Sequence, residues 1–438
     1  MHLTKRWVPL TQAKEVHRRY WQCEKRFIAV AAGRRSYKTE IAKRKAIKRL
    51  LLTPGSYFAG APTRDQAKKI FWEDFKQLIP KDWVTKVHET SLTIDVANGS
   101  RLTVLGMDRP ERIEGSMWHG GLLDEIASMK AHTWYNHVRP VLSDTNGWCI
   151  FTGVPEGRNF FEKIYSTAKD PSEEEWEAFE WTSEIVLSPS EIESAKRTLD
   201  PLTYAQEYLG SFVDFQGRAY YSFDIEKNCR PLEYNPSKDL IFCFDFNVSP
   251  GVASIIQEQE IDGHMSTCVI DEVFIPKNSN TERVCVKLLE DWGHHQGEVF
   301  LYGDATGGAR KTSALSGSDW DIIWMNLSSV FSGRLTQRVP KVNPSERARI
   351  NAVNSRCCTS DGTRRLYVDP VRASRTKEDF DGSSVLEGSG GQLDKSMNGP
   401  NKDYTHLTDA IGYYVEYEYP VRGQEEQARN IILPGARL

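Results

Sequence analysis

The stretch Phe27-Ile28-Ala29-Val30-Ala31-Ala32-Gly33-Arg34-Arg35-Ser36-Tyr37-Lys38-Thr39 decides how the first half of this chain folds. Phe27–Ala31 has the length and apolarity of a buried strand, and Lys38–Leu51 reads as a helix, which makes Gly33–Thr39 a strand-to-helix turn. Such a turn can cradle phosphate. Backbone N–H groups at the helix N-terminus hold phosphate oxygens, Lys38 neutralises the β/γ charge and the Thr39 hydroxyl holds Mg2+. The pattern departs from G-x-x-x-x-G-K-[ST], because Tyr37 stands where the second glycine belongs. Taken alone, the stretch reads equally well as a basic surface turn.

Working outward, Tyr57–Ala61, Leu92–Val96, Arg101–Gly106, Gly121–Leu123 and Cys149–Thr152 read as strands. Arg64–Leu78 reads as a helix ended by Pro80. This βα rhythm belongs to an α/β domain with a mainly parallel sheet. Gly120-Gly121-Leu122-Leu123-Asp124-Glu125 is an apolar strand ending in two acids. Asp124 is placed to hold Mg2+ through water, and Glu125 to polarise the water that attacks a γ-phosphate. Thr152-Gly153-Val154-Pro155-Glu156-Gly157-Arg158-Asn159 then forms a strand end and turn of the kind that couples hydrolysis to movement in helicase-like motors. Asp170–Trp176 is acidic and reads as an exposed loop or helix start.

The second half begins with Asp239–Phe246, Gly251–Gln257 and Ser266–Phe274 as consecutive strands, then helix Thr281–Trp292 and strand Val299–Gly303, a mixed sheet. Asp245 and Asp304 sit at ends of apolar strands, where a buried carboxylate is costly unless it meets a cation. Asp409 falls on the first turn of an amphipathic helix. Three such acids are the raw material of a two-metal nuclease. Asp271-Glu272 reads as a turn rather than a further ligand pair. Gly333–Lys377 holds eleven Lys/Arg against three Asp/Glu, a candidate phosphate-binding surface. A second basic run, Lys43-Arg44-Lys45 to Lys48-Arg49, reads as a solvated helix face.

The bulk numbers fit this picture. The 438 residues carry 39% hydrophobic and 26% charged residues with net charge -4, so DNA binding has to come from local patches. Eight scattered cysteines without a C-x-x-C pair read as reduced core residues. No apolar run is long enough to span a membrane, and the N-terminus lacks a signal core.

Gly33–Thr39, Asp124-Glu125, Thr152–Gly157 and the Arg109–Gly115 segment together resemble the ATPase of bacteriophage large terminases. Asp245, Asp304 and Asp409, the last in a D-A-x-G-Y context, resemble their RNase H-like nuclease. The resemblance covers roughly residues 10–420. It implies an N-terminal P-loop NTPase domain, helicase- or RecA-like, over residues 1–216. A linker over 217–236, an RNase H-like nuclease over 237–420 and a polar tail over 421–438 follow. Gly33, Arg34, Arg35, Ser36, Tyr37, Lys38, Thr39 and Asp124 would bind ATP and Mg2+, Gln12 would read adenine, and Glu125 would be the catalytic base. Arg112, with Arg158 in reserve, would be the arginine finger. Asp245, Asp304 and Asp409 would hold Mg2+ or Mn2+. The implied function is ATP-driven packaging of double-stranded viral DNA and its endonucleolytic cleavage in the host cytoplasm. Portal protein, procapsid and a small terminase subunit are the implied partners, with a homo-oligomeric ring on the portal. A helicase-like remodelling ATPase without nuclease activity is the rival reading.

Overall fold

A computed structural model describes residues 14–157, 159–213, 217–246, 250–308, 317–383, 393 and 404–421. The chain divides into two compact units. One comprises Met1–Ile192 with Tyr204–Asp214, and the other Glu193–Thr203 with Phe215–Leu438.

The first unit is built on β1 (Phe27–Ala32), β2 (Ser56–Ala61), β3 (Val84–His88), β4 (Thr93–Val96), β5 (Arg101–Gly106), β6 (Gly120–Asp124), β7 (Trp148–Gly153) and β8 (Trp176–Trp181), in the order β3-β4-β5-β2-β6-β7-β1-β8. β1, β2, β5, β6, β7 and β8 pair in parallel, and the β3–β4 and β4–β5 pairs are antiparallel. All six β1 residues are buried, because the sheet is covered on both faces. Ile28 and Val30 face a core with Ile41, Ile47, Leu50 and Trp72, while Phe27 and Ala29 face one with Phe58, Trp134, Phe151 and Phe161. Each large side chain so buried contributes about 1.5–3 kcal/mol.

Three local expectations change here. β8 was hidden behind the acidic loop that precedes it, and its Phe179 and Trp181 close the first core. The helix expected over 64–78 is present but opens into a π-turn at Lys68–Trp72. The basic run after the phosphate loop is not a solvated face: Lys45 is 0% exposed, and its Nζ donates to the carbonyls of Trp21 and Cys23. Lys43 is buried as well and pairs with Glu40 and Asp74.

The second unit holds β9 (Leu240–Asp245), β10 (Gly251–Ile261), β11 (His264–Ile275), β12 (Val299–Gly303), β13 (Leu335–Gln337) and β14 (Leu366–Val368), in the order β13-β12-β9-β10-β11-β14. β9–β10 and β10–β11 are antiparallel and the other pairs are parallel, the mixed sheet expected. Ile241 and Cys243 face Val353, Ile411 and Tyr414 of helices Glu346–Cys357 and His406–Glu418. Leu240, Phe242 and Phe244 face Leu288, Trp320 and Ile323 of helices Thr281–Trp292 and Asp319–Ser328. The α/β class, with a parallel-rich sheet followed by a mixed one, is as the sequence suggested.

Residues 217–236 are not a free linker. Ala219, Tyr220 and Phe223 are buried in the second unit's core, as is Leu232. Asp271 and Glu272 lie within β11, beside a bulge, instead of in a turn. Asp271 accepts from Trp292 Nε1, and Glu272 accepts from the Thr376 N–H and hydroxyl. The Gly333–Lys377 basic segment is not a uniformly solvated face: Arg349 and Arg356 are buried, Arg334 and Arg364 are half-buried and spent on carbonyl and amide oxygens, and Lys341 and Arg372 are exposed. Helix Glu346–Cys357 packs both of its faces, which is why its arginines need buried partners. The Gly- and Ser-rich segment Gly382–Asn401 falls almost wholly outside the described residues, as does the 422–438 tail. All eight cysteines are free, five of them buried. Among the described residues no helix is long and apolar enough to cross a membrane.

Candidate functional site

In the first unit the phosphate loop leaves β1 at Ala32, between neighbours β7 and β8. Gly33 has no substitute: a Cβ there would fall 2.3 Å from both Ser183 Oγ and the Tyr208 carbonyl oxygen. Arg35 and Tyr37 take left-handed φ values of 53° and 67°, the geometry glycine usually supplies. Protein donors pin the loop's carbonyls. Ser36 Oγ donates to the Gly33 carbonyl at 2.6 Å, Ser183 Oγ to that of Arg34 at 2.6 Å, and Trp181 Nε1 to that of Ser36 at 2.8 Å. With carbonyls turned toward the protein and the Gly33 and Arg34 N–H groups bonded to the Trp181 and Glu207 carbonyls, the N–H groups from Arg35 onward are the ones the turn can offer a phosphate. Lys38 is buried and donates to the Gly33 carbonyl at 3.3 Å. Burial pulls its pKa down, and Glu125 and Asp124 oppose that.

Two of the residues expected to hold Mg2+, Thr39 and Asp124, are in contact. Thr39 Oγ1 donates to Asp124 Oδ2 at 3.0 Å, and Thr152 Oγ1 donates to Asp124 Oδ1 at 2.5 Å. Strand register explains this: Thr152 lies opposite both Val30 and Asp124, so the ends of β1, β7 and β6 are level. A hydroxyl and a carboxylate converging beside a phosphate loop fit a hard cation completed by phosphate oxygens. Glu125 follows in a left-handed conformation, φ 54°. Burial raises its carboxyl, Asp124 adds to the rise, and Lys38 and Arg34 counter it.

Several contributors were invisible in the motif. Glu207 accepts the Arg34 side chain and, through its carbonyl, the Arg34 N–H. Asn159 caps helix Phe160–Lys169 and donates to the Ala127 carbonyl at 2.9 Å, tying the turn after β7 to the segment after Glu125. Only an N-cap preference marked Asn159, and nothing local marked Glu207. Arg112 is exposed on the 3-10 turn Pro110–Ile113, outside the contacts joining Lys38, Thr39, Asp124 and Glu125. Gln12 and Arg158 lie outside the described residues.

In the second unit Asp245 ends β9 and Asp304 follows β12. Gly303 pairs with Phe244 in parallel register, which brings the two acids to adjacent positions at one end of the sheet. Asp304 Oδ1 accepts from Asn343 Nδ2 at 2.7 Å and from the Thr306 N–H at 2.6 Å. Burial works to raise the Asp304 carboxyl, but hydrogen bonds from Asn343, Thr306 and Tyr413 outweigh it and hold it below the usual range. Asp245 Oδ2 lies 3.5 Å from His406 Nδ1.

Asp409 lies one turn along the same helix, and the structure gives it a different partner. Arg349 Nη1 donates to its Oδ1 at 2.7 Å, with both side chains 7% exposed. Burial disfavours the Arg349 charge, and Asp409 with Tyr413 and Tyr220 more than offsets it. The Arg349 guanidinium lies 4.3 Å from the Tyr413 ring centre. Among the described residues no group of three or more His, Cys, Asp or Glu is placed to share an ion. The structure places Asp245 and Asp304 at adjacent strand ends and pairs Asp409 with Arg349. His406, Tyr413, Asn343 and Arg349 were not foreseen. The helical spacing of His406, Asp409 and Tyr413 is the one signal that pointed to the first two.

Comparison with known proteins sets these sites in context. No family model matches the chain. It is 25% identical over 214 residues to the terminase large subunit of Escherichia phage T5, covering 48% of this chain and 49% of that one. It is 26% identical over 306 residues to the terminase large subunit of Thermus phage G20c, covering 60% and 63%. The chain thus spans from about half to under two thirds of these curated relatives. Its fold resembles the large terminase of a thermophilic bacteriophage solved with ATP-γ-S, with a TM-score of 0.56 at 16% identity over 92% of this chain and 98% of that one. Another crystal form of that same phage protein gives 0.54 over 95% and 97%, also at 16% identity. In motifs, sequence relatives and fold, the chain is similar to the large subunits of phage terminases.

Proposed function

We propose that this chain is a terminase motor and nuclease: an ATPase that drives double-stranded viral DNA into a procapsid and a divalent-metal endonuclease that cuts concatemeric DNA. The observation that supports it best is the meeting of Thr39, Asp124 and Thr152 at level strand ends, beside Lys38 and Glu125. In this reading Lys38 and the turn's N–H groups hold the ATP phosphates, and Thr39 with Asp124 holds Mg2+, whose charge offsets that of the phosphates. Glu125 takes the proton of the attacking water; burial and Asp124 raise its carboxyl, and Lys38 and Arg34 counter part of that rise. Arg112 or Arg158 supplies a finger, within the chain or to a neighbouring copy, and Gln12 reads the base. Asp245 and Asp304 hold Mg2+ or Mn2+, which supplies water activation and stabilises the leaving oxygen. Portal protein, procapsid and a small terminase subunit are the partners this role requires. A homo-oligomeric ring assembled on the portal, in the host cytoplasm, is the working form.

Glu125→Gln tests the motor. It should bind ATP but hydrolyse it at least ~10² times more slowly, the scale of a lost general base, whereas Lys38→Ala should lose ATP binding. Wild-type turnover in either refutes the assignment. Mn2+-dependent plasmid cleavage that disappears in Asp245→Asn while ATPase persists supports the nuclease. DNA-stimulated ATPase with no cleavage in the parent chain turns the reading to a helicase-like remodeller.

A further inference from the structure

Tyr37 stands in the place of a glycine with a left-handed φ of 67°, and it is also the residue from which helix Lys38–Leu52 starts. The residue before a helix ordinarily takes extended backbone, so a left-handed tyrosine there needs something to hold it. Its side chain makes no capping bond to the helix. What meets it is a group of rings. Tyr37 packs edge-on to His17 with ring centres 6.3 Å apart at 70°, and His17 packs edge-on to Trp181 at 5.0 Å and 78°. His17 is 2% exposed on helix Glu15–Gln22, and its Nδ1 accepts the Lys14 N–H at 3.1 Å, which fixes the plane of its ring. Trp181 also meets the fully buried Tyr20, one turn along the same helix.

Both residues ahead of Lys38 are therefore held by this ring group, Ser36 through its carbonyl on Trp181 Nε1 and Tyr37 through His17. Glycine at position 37 would have no such hold. It populates both signs of φ about as readily, so it could relax to the extended start that a helix prefers. The first N–H groups of a helix have no partner within it, and the backbone of residue 37 sets where those of Lys38 and Thr39 point.

We infer that His17 and Tyr37 are positioning residues of the ATP site: their ring contact keeps residue 37 left-handed, so that the N–H groups opening helix Lys38–Leu52 face the phosphates. This rests on the ATPase reading and deepens it. Strain retained in a binding loop is a form of pre-organisation. It predicts that folding stability and ATP affinity separate at this one residue.

Calorimetric titration of the full chain with ATP and Mg2+, beside thermal melts without nucleotide, tests this. Tyr37→Gly should weaken ATP binding by about threefold to tenfold, the range an edge-to-face ring pair supports, while its melting temperature stays level or rises. Tyr37→Phe keeps the ring and should restore the parent affinity. His17→Leu, which fills the space without a ring edge, should weaken ATP binding by a similar factor. Because both changes break one contact, Tyr37→Gly/His17→Leu should be no more than about twofold weaker than Tyr37→Gly alone. Unmoved or tighter ATP binding in Tyr37→Gly, a melting temperature that falls with the affinity, no restoration by Tyr37→Phe, or losses that multiply in the double variant overturns the inference and leaves the ATPase reading standing. No ATP binding by the parent chain refutes the ATPase reading, and this inference with it.

Discussion

Gly121→Ala is the smallest change that should disturb the strand carrying Asp124 and Glu125. A Cβ at Gly121 would lie 2.0 Å from Phe58 Cζ and 2.2 and 2.3 Å from its Cε atoms. Phe58 is 1% exposed, held in register beside Gly121 by the parallel β2–β6 pair, with Trp118 packed edge-on at 5.5 Å. The ring cannot rotate out of the way within a covered sheet, so either it leaves its rotamer or β6 shifts. Overpacking of this kind costs about 1–3 kcal/mol, and losing the ring altogether, the upper bound, costs about 3–5 kcal/mol. At roughly 2–4 °C per kcal/mol for a unit of this size, the melting temperature of the first unit should fall by several degrees. Thermal unfolding followed by calorimetry measures this, and ATPase activity reports whether Asp124 moved. Phe58→Leu in the same chain makes room for the methyl group, so the double variant should recover at least half of the loss. An unchanged melting temperature in Gly121→Ala, or additive losses in the double variant, would refute the packing argument.

Tyr37→Gly should stabilise the first unit by roughly 0.5–1 kcal/mol, since a non-glycine left-handed residue costs about 1–2 kcal/mol and part of that is returned as glycine's chain entropy. A loss above 1 kcal/mol in denaturant melts would show instead that the Tyr37 ring, 6.3 Å from His17, matters more than its backbone. Lys45→Met concerns pH: burial lowers the Lys45 pKa to about 8 from 10.5. Between those values the unfolded chain binds more protons than the folded one, so stability rises with pH through that window and the burial cost is complete below it. Stability measured from pH 7 to 10 should therefore rise more steeply in the parent than in Lys45→Met. Parallel curves would mean that Lys45 titrates normally.

The parts of this molecule that were legible in sequence share one property: their signal is local. The strand, turn and helix over residues 27–52 were readable in succession although Tyr37 broke the motif, because a left-handed φ of 67° is strained for tyrosine but not forbidden. Asp124, Asp245 and Asp304 were readable because each ends an apolar run, where a carboxylate is conspicuous. Charge runs misled for the opposite reason. Lys43, Lys45, Arg349 and Arg356 looked like surface from composition, yet their partners (Asp74, the Trp21 and Cys23 carbonyls, Asp409 and Glu258) lie 22 to 98 residues away. No window over the sequence can tell a solvated lysine from one whose acceptors arrive with the fold. Asp409 shows how far that reaches into function. Its neighbours in sequence marked it as a ligand, and only helix Glu346–Cys357, packed alongside, shows that a cation made of protein already holds it. The partner of Asp409 is thus a basic residue 60 positions upstream, inside a segment whose charge had pointed to DNA, and no local pattern could have named it.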